Sequence, residues 1–140
     1  MTPKEKAFKL NKSVNTFILS CIDKDGHPLT KAVVASKHRD FLNEIFFCTN
    51  TSSKFVAAIN ENSKGSVYFY SRKLFVWKGC FLKGDFEIVT DMTIKEKFWD
   101  NKYKNAYEQK SFTDPDFCVL KFSATAGRFY SNFTIADFEI

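Results

Sequence analysis

Thr16-Phe17-Ile18-Leu19-Ser20-Cys21-Ile22, then Asp23-Lys24-Asp25-Gly26, then Pro28-Leu29-Thr30-Lys31-Ala32-Val33-Val34-Ala35-Ser36, is the stretch that decides the fold. The first run is rich in β-formers and the last is centred on Ala32, Val33 and Val34. Between them lies a D-x-D-G turn in which Gly26 can supply a positive φ without steric cost. Two β-runs joined by such a turn predict an antiparallel hairpin. Hairpin connections argue against a doubly wound parallel sheet, which needs long crossovers.

Upstream, Thr2-Pro3-Lys4-Glu5 reads as a helix start, with Thr2 capping, Pro3 at the first helical position and Glu5 completing a capping box. That helix ends near Lys12 or Ser13. Downstream, Glu44 to Asn50 is a third strand, and Phe55, Val56 and Ile59 give a short helix from about Ser53 to Asn60. Ser66 to Ser71 is a fourth strand. Leu74 to Thr90 is a long β-stretch interrupted by Gly79 and Gly84, positions that mark a bulge, a bend or a close approach. Asp91 caps another helix carrying Ile94, Phe98 and Trp99, with Thr93 and Glu96 spaced as a capping box. Asp114-Pro115-Asp116 is a turn, and Phe117 to Ser123 is a sixth strand. Gly127 breaks that pattern, after which Arg128 to Phe133 either extends the strand or adds an edge. The expectation is a mainly β fold: a six-stranded antiparallel barrel with short flanking helices, because closure removes unpaired edges.

With 140 residues, the chain is read as one domain, 1–140, too short for separate cofactor and substrate domains. Hydrophobic residues at 44% and charged residues at 26% exclude a disordered or collagen-like chain. No apolar run approaches the roughly 18–20 residues of a membrane helix, and Met1 to Ser13 lacks a long hydrophobic centre. The expectation is therefore a cytoplasmic protein without a membrane partner. Cys21, Cys48, Cys80 and Cys118 include no C-x-x-C pair, so they read as reduced thiols, and no metal site is expected. The net charge of +5 contains no run of five basic residues. The interleaving in Tyr68-Phe69-Tyr70-Ser71-Arg72-Lys73 is explained by strand alternation, and nucleic acid is not an expected partner.

The chemistry concentrates at Thr49-Asn50-Thr51-Ser52-Ser53-Lys54. A helix N-terminus exposes unpaired amides and about half a positive charge. Hydroxyls and Lys54 add to it, and Lys31 on the neighbouring strand can point into the same space, so the group makes a phosphate cradle. Capping residues beside an exposed lysine give the same string. No catalytic side chain is assigned. His27 follows a turn, His38 lies in a charged loop, and neither belongs to a nucleophile motif. An enzyme built on this chain would rely on a bound cofactor.

In their order and spacing these pieces resemble the pyridoxamine 5′-phosphate oxidase-like FMN-binding split barrels, in the general stress protein branch. The resemblance covers nearly the whole chain. It runs through Asp25-Gly26-His27-Pro28, Thr30 to Val34, Phe47 to Lys54, Ser66 to Phe69, Lys83 to Asp91, Lys97-Phe98-Trp99 and Asp114 to Phe117. It implies a Greek-key split barrel that forms a homodimer, with FMN at the subunit interface and a small-molecule redox partner. It also implies that Lys31, Thr49, Ser53 and Lys54 hold the phosphate. Ala32, Val33, Val34 and Cys48 would lie near the flavin ring, and Trp77 and Gly79 would approach it from the other side. The implied function is oxidoreduction through bound flavin, or else a non-catalytic flavin-binding carrier or sensor related to stress. Three positions depart from the family pattern. Lys31 replaces a frequent arginine, Phe55 stands where a second basic residue is common, and Gly79 replaces the glutamine of the true oxidases. The chain also lacks their longer C-terminal region with its substrate-binding Arg and His residues, so a true pyridoxamine phosphate oxidase is not expected.

Overall fold

In the computed structural model, which describes residues 1–140, the Asp23 carboxylate organises the first turn. It accepts from the amides of Asp25 and His27, each at 2.9 Å, and Gly26 sits at φ +83°. β1 (Thr16–Ile22) and β2 (Pro28–Val34) leave this turn as an antiparallel pair, in register from Ile22↔Pro28 to Thr16↔Val34. They are preceded by α1 (Pro3–Ser13), whose capping box between Thr2 and Glu5 is formed. The chain continues through β3 (Glu44–Asn50), α2 (Lys54–Glu61), β4 (Lys64–Lys73), β5 (Val76–Val89) and α3 (Met92–Phe98). A 3-10 turn (Asn101–Ala106), β6 (Phe117–Ser131) and β7 (Thr134–Glu139) complete it.

All ladders are antiparallel, and the strand order is β2-β1-β4-β5-β6-β3, with β7 added on β6. The six strands of that path are those the sequence suggests, but β6 is longer and there is a seventh. Residues 117–123 of β6 pair with β3, and residues 126–131 pair with β7. Gly127 does not break the strand. A Cβ there would lie 2.5 Å from the Phe138 ring, so the glycine admits the ring of β7 that crosses it. Gly84 marks the expected irregularity, a register shift after Lys83, whereas β5 runs straight through Gly79. Asp91 alone caps α3, accepting from the Ile94 amide at 3.1 Å. Thr93 and Glu96 lie inside the helix and form no capping box.

β2 and β3 are the two ends of the six-strand path and share no ladder. That gap is the split of the barrel. Inside, alternate residues bury Phe17, Leu19, Phe47, Val67, Phe69, Leu82, Leu120 and Phe122, all at most 1% exposed. Phe17 meets Phe47 and Phe69 edge-on at 5.5 and 5.1 Å, a favourable aromatic geometry. Burying such side chains contributes about 1.5–3 kcal/mol each. A second apolar cluster of Phe98, Tyr107, Phe117 and Val119 joins α3 and the 3-10 turn to the outer face of β3 and β6. Arg39 closes the C-terminus of α1, donating from one guanidinium nitrogen to the carbonyls of Asn11 and Val14 at 2.6 and 2.5 Å.

A Cβ at residue 84 would collide with the Ser123 backbone carbonyl, which cannot turn aside as a side chain can. Gly84→Val is expected to lower stability by about 1–3 kcal/mol, read as a shifted midpoint in urea unfolding. An unshifted midpoint would mean that β5 and β6 are less closely apposed at the bulge.

Candidate functional site

Lys31 lies on an edge strand, with its side chain turned inward at the split. Nζ donates to Thr49 Oγ1 at 3.0 Å, joining β2 to β3 where the backbone makes no bond. The same ammonium stands 4.8 Å above the Phe55 ring, in the first turn of α2. None of the chain's ion pairs includes it, so no carboxylate oxygen lies within 4.0 Å. Burial lowers its pKa from 10.5. A half-buried cation without a counter-ion is costly to keep, and an anion entering the split would relieve that cost.

The junction after β3 supplies the remaining donors. Ser53 caps α2, its hydroxyl accepting from the Val56 amide at 3.2 Å, which leaves its own hydrogen free to donate. The Lys54 and Phe55 amides occupy the first two helical positions, where no intrahelical acceptor exists. Lys54 is exposed and is in no ion pair. Thr49 is 9% exposed, and its hydroxyl likewise keeps a hydrogen to donate. Ammonium, hydroxyl and amide donors around one opening are the donor set that a phosphate group takes. Phe55, the departure from a basic residue, is a core side chain. It is 3% exposed and edge-on to Phe86.

The junction is fastened from the turn that precedes β6. Asp116 Oδ1 accepts from the Ser52 amide at 2.9 Å and Oδ2 from Asn50 Nδ2 at 3.2 Å. The Asp116 carbonyl takes the Thr51 amide at 2.7 Å, and the Pro115 carbonyl takes the Thr51 hydroxyl at 2.9 Å. Asp114 holds this turn in place, accepting from the amides of Gln109 and Asp116 at 2.9 and 2.8 Å. The buried Lys95 donates to the Asp114 carbonyl at 3.0 Å. The sequence shows Asp114 and Asp116 as turn residues only. The side-chain partners of Asp116, Asn50 and Ser52, lie more than 60 positions upstream, beyond any local pattern.

The other expected residues fall in two places. Val34 and Cys48 line a small cavity of about 120 Å³ beside the split, with His38, Trp99 and Tyr103. Cys48 donates to the Phe98 carbonyl at 3.5 Å, and burial pushes its pKa up to about 12, so it is a protonated thiol. Val33 turns inward against the core. Ala32 turns outward, and the register continues its row through Ile18, Tyr68 and Phe81 across four strands. Trp77 and Gly79 lie further along that outer face. Trp77 stacks on Tyr70 at 5.4 Å and 11°, and a Cβ on Gly79 would lie 2.5 Å from the Tyr68 hydroxyl. One chain therefore brings Lys31 to Thr49 and to the Phe55 ring at the split, with Ser53 and Lys54 next to Phe55 in sequence at the start of α2, while Trp77 and Gly79 stand apart on β5. His38 and Trp99 were readable only as a loop residue and a helix-face aromatic. No group of three or more His, Cys, Asp and Glu residues is placed to hold a metal, and no helix is long and apolar enough to cross a membrane.

Comparison with known proteins agrees with this architecture. The family model described as pyridoxamine 5′-phosphate oxidase like matches residues 3–136. The chain belongs to that family. Among solved structures, it is similar to a protein from Clostridium acetobutylicum related to general stress protein 26 of B. subtilis, of the pyridoxinephosphate oxidase family. That likeness has 29% identity and a TM-score of 0.83, over 100% of this chain and 97% of the other. General stress protein 26 from Bacillus anthracis is 25% identical, with a TM-score of 0.77 and all of both chains covered. A pyridoxamine 5′-phosphate oxidase-related, FMN binding protein from Nostoc punctiforme shares the fold. It is 12% identical, with a TM-score of 0.72 over 97% of this chain and 94% of that one. No curated protein matches the chain.

The amides of Gln109 and Asp116 hold the Asp114 carboxyl below its ordinary pKa of 3.8. A carboxyl lowered in the folded state stabilises the fold above its unfolded pKa and ceases to do so as pH falls through the folded one. Asp114→Asn should therefore be less stable than the parent near neutrality. The two unfolding midpoints should converge as pH drops below 3.8, and a gap that does not change with pH would contradict the assignment.

Proposed function

We propose that the chain is an FMN-binding flavoprotein and that the split between β2 and β3 receives the flavin's phosphate. The observation that carries this reading is Lys31: a half-buried ammonium with one hydroxyl partner and no carboxylate. Thr49, Ser53 and Lys54 complete the donor set, and the Asp116 clamp presets the loop that carries them. Family membership and the name of the Nostoc protein support FMN over other phosphate-bearing ligands.

In this reading Ala32 and Val34 on the β2 edge, with Cys48, would line the ring. A bound flavin would supply the redox chemistry, hydride transfer. The chain binds and orients it, and the protonated Cys48 offers no thiolate to compete. The working function is oxidoreduction between a small donor and acceptor. A carrier or sensor without turnover would use the same site, and steady-state oxidation of a reduced nicotinamide by the flavin-loaded protein separates the two.

A second copy completes the pocket in this reading. The outer sheet face exposes Val34, Tyr70, Trp77 and Ile135 at 66, 46, 39 and 59%. Contiguous apolar surface of this kind marks an interaction site. A homodimer that covers this face would bring the partner's β5 segment around Trp77 and Gly79 to the flavin. Light scattering of the flavin-loaded protein should give a dimer, and a monomer with flavin bound would contradict this part of the reading.

Lys31→Ala removes a charge-assisted contact worth about 1.5–3 kcal/mol, or roughly tenfold or more in Kd. The loss should appear for FMN and not for riboflavin, which has the same ring without the phosphate. Equal losses for both, or none for FMN, would place the phosphate elsewhere. Because burial already lowers the Lys31 pKa, the preference for FMN over riboflavin should begin to fade below pH 10.5 as pH rises.

A further inference from the structure

A second cavity lies on the opposite side of β5 from Trp77. Strand alternation sends Trp77 and Gly79 to the outer face and Val76 and Lys78 to the other. There α1 crosses the sheet and leaves a groove of about 630 Å³, within the 300–1,000 Å³ usual for small-ligand sites. Its floor is apolar. Leu10 of α1 and Phe129 of β6 are 4 and 5% exposed, with Val76 and Leu74 at one end. Four lysines stand around it: Lys6 and Lys9 from α1, Lys73 from the end of β4 and Lys78 from β5. No acidic residue lines the groove, and none of the four lysines has a carboxylate oxygen within 4.0 Å. The register aligns Ser71, Lys78 and Ser131 in one row across three strands, which places two hydroxyls beside an ammonium.

We propose that this groove binds an amphiphilic anion, an unbranched carboxylate with an apolar tail. The tail lies on Leu10 and Phe129 and the carboxylate among the lysines. Neither half of the lining accounts for itself without the other. A purely apolar ligand leaves the four exposed lysines that line the groove without a partner, and a small inorganic anion leaves the apolar floor uncovered. An anion with a tail answers both, since charged head groups are held by ammonium and hydroxyl donors and the tail is driven by burial of apolar surface. Leu74 shapes the mouth. It occupies a left-handed backbone conformation (φ 54°) in the β4–β5 turn and is 90% exposed, an uncommon combination for a bulky residue. The groove is independent of the flavin reading, because it lies on the far side of β5 and shares no residue with the split.

The test is titration calorimetry of the full chain with dodecanoate, beside dodecan-1-ol and acetate as probes of the tail and the charge alone. Dodecanoate should bind saturably, once per chain, and raise the thermal midpoint, while the two partial probes should not at the same concentrations. Lys9→Glu with Lys73→Glu should weaken dodecanoate at least tenfold and leave FMN affinity unchanged. Both side chains are exposed, so folding should be retained. Lys9→Ala alone gives a milder version of the same comparison. Equal binding by parent and double variant, binding of dodecan-1-ol as tight as dodecanoate, or no saturable binding would each overturn the proposal.

Discussion

One side-chain bond spans the place where this barrel has no backbone bond. β2 and β3 end the strand order without pairing, and the Lys31 ammonium reaches Thr49 across the opening. The fold makes this arrangement available because β2 is an edge strand. An inward residue on an interior strand would face only the packed core, whereas one at the split faces core on one side and an opening on the other. The result is a cation partly removed from water, held over Phe55 and left without a counter-charge. Core, split and donor loop thus form one construction: the aromatic interior fixes β2 and β3, and their separation creates the site.

The donor loop is itself held from a distance. Residues 50–53 could take several conformations as an isolated strand-to-helix connection. Asp116 and Pro115 select one by pairing with the Asn50, Thr51 and Ser52 groups, and Asp114 and Lys95 fix that turn in its place. Such preorganisation reduces the ordering cost of binding. A carboxylate placed on the loop's flank also sets its amides without entering the opening between Lys31 and Thr49.

Much of the fold was legible because the local signals were strong and agreed with one another. Thr16–Ile22 and Glu44–Asn50 appear with the boundaries their β-forming residues suggest, and Thr2 and Glu5 form their capping box. The misreadings fell where a long-range contact overrides a local signal. Gly127 looks like a break from sequence but is a gap for Phe138, and β7 exists because the far half of β6 offers it an edge. The Lys31–Thr49 pairing was legible in part, since the residues occupy matching motif positions. The Asp116 clamp was not, since it depends on chain brought near by folding, whereas the apolar spacing of Phe55, Val56 and Ile59 already marked the buried face of α2.

The most direct measurement is a crystal structure of the chain with FMN bound. Phosphate oxygens are expected within hydrogen-bonding distance of Lys31 Nζ and Thr49 Oγ1, with the first amides of α2 directed at the same group. A flavin whose phosphate lies away from the split, with Lys31 still paired to Thr49 alone, would contradict this expectation.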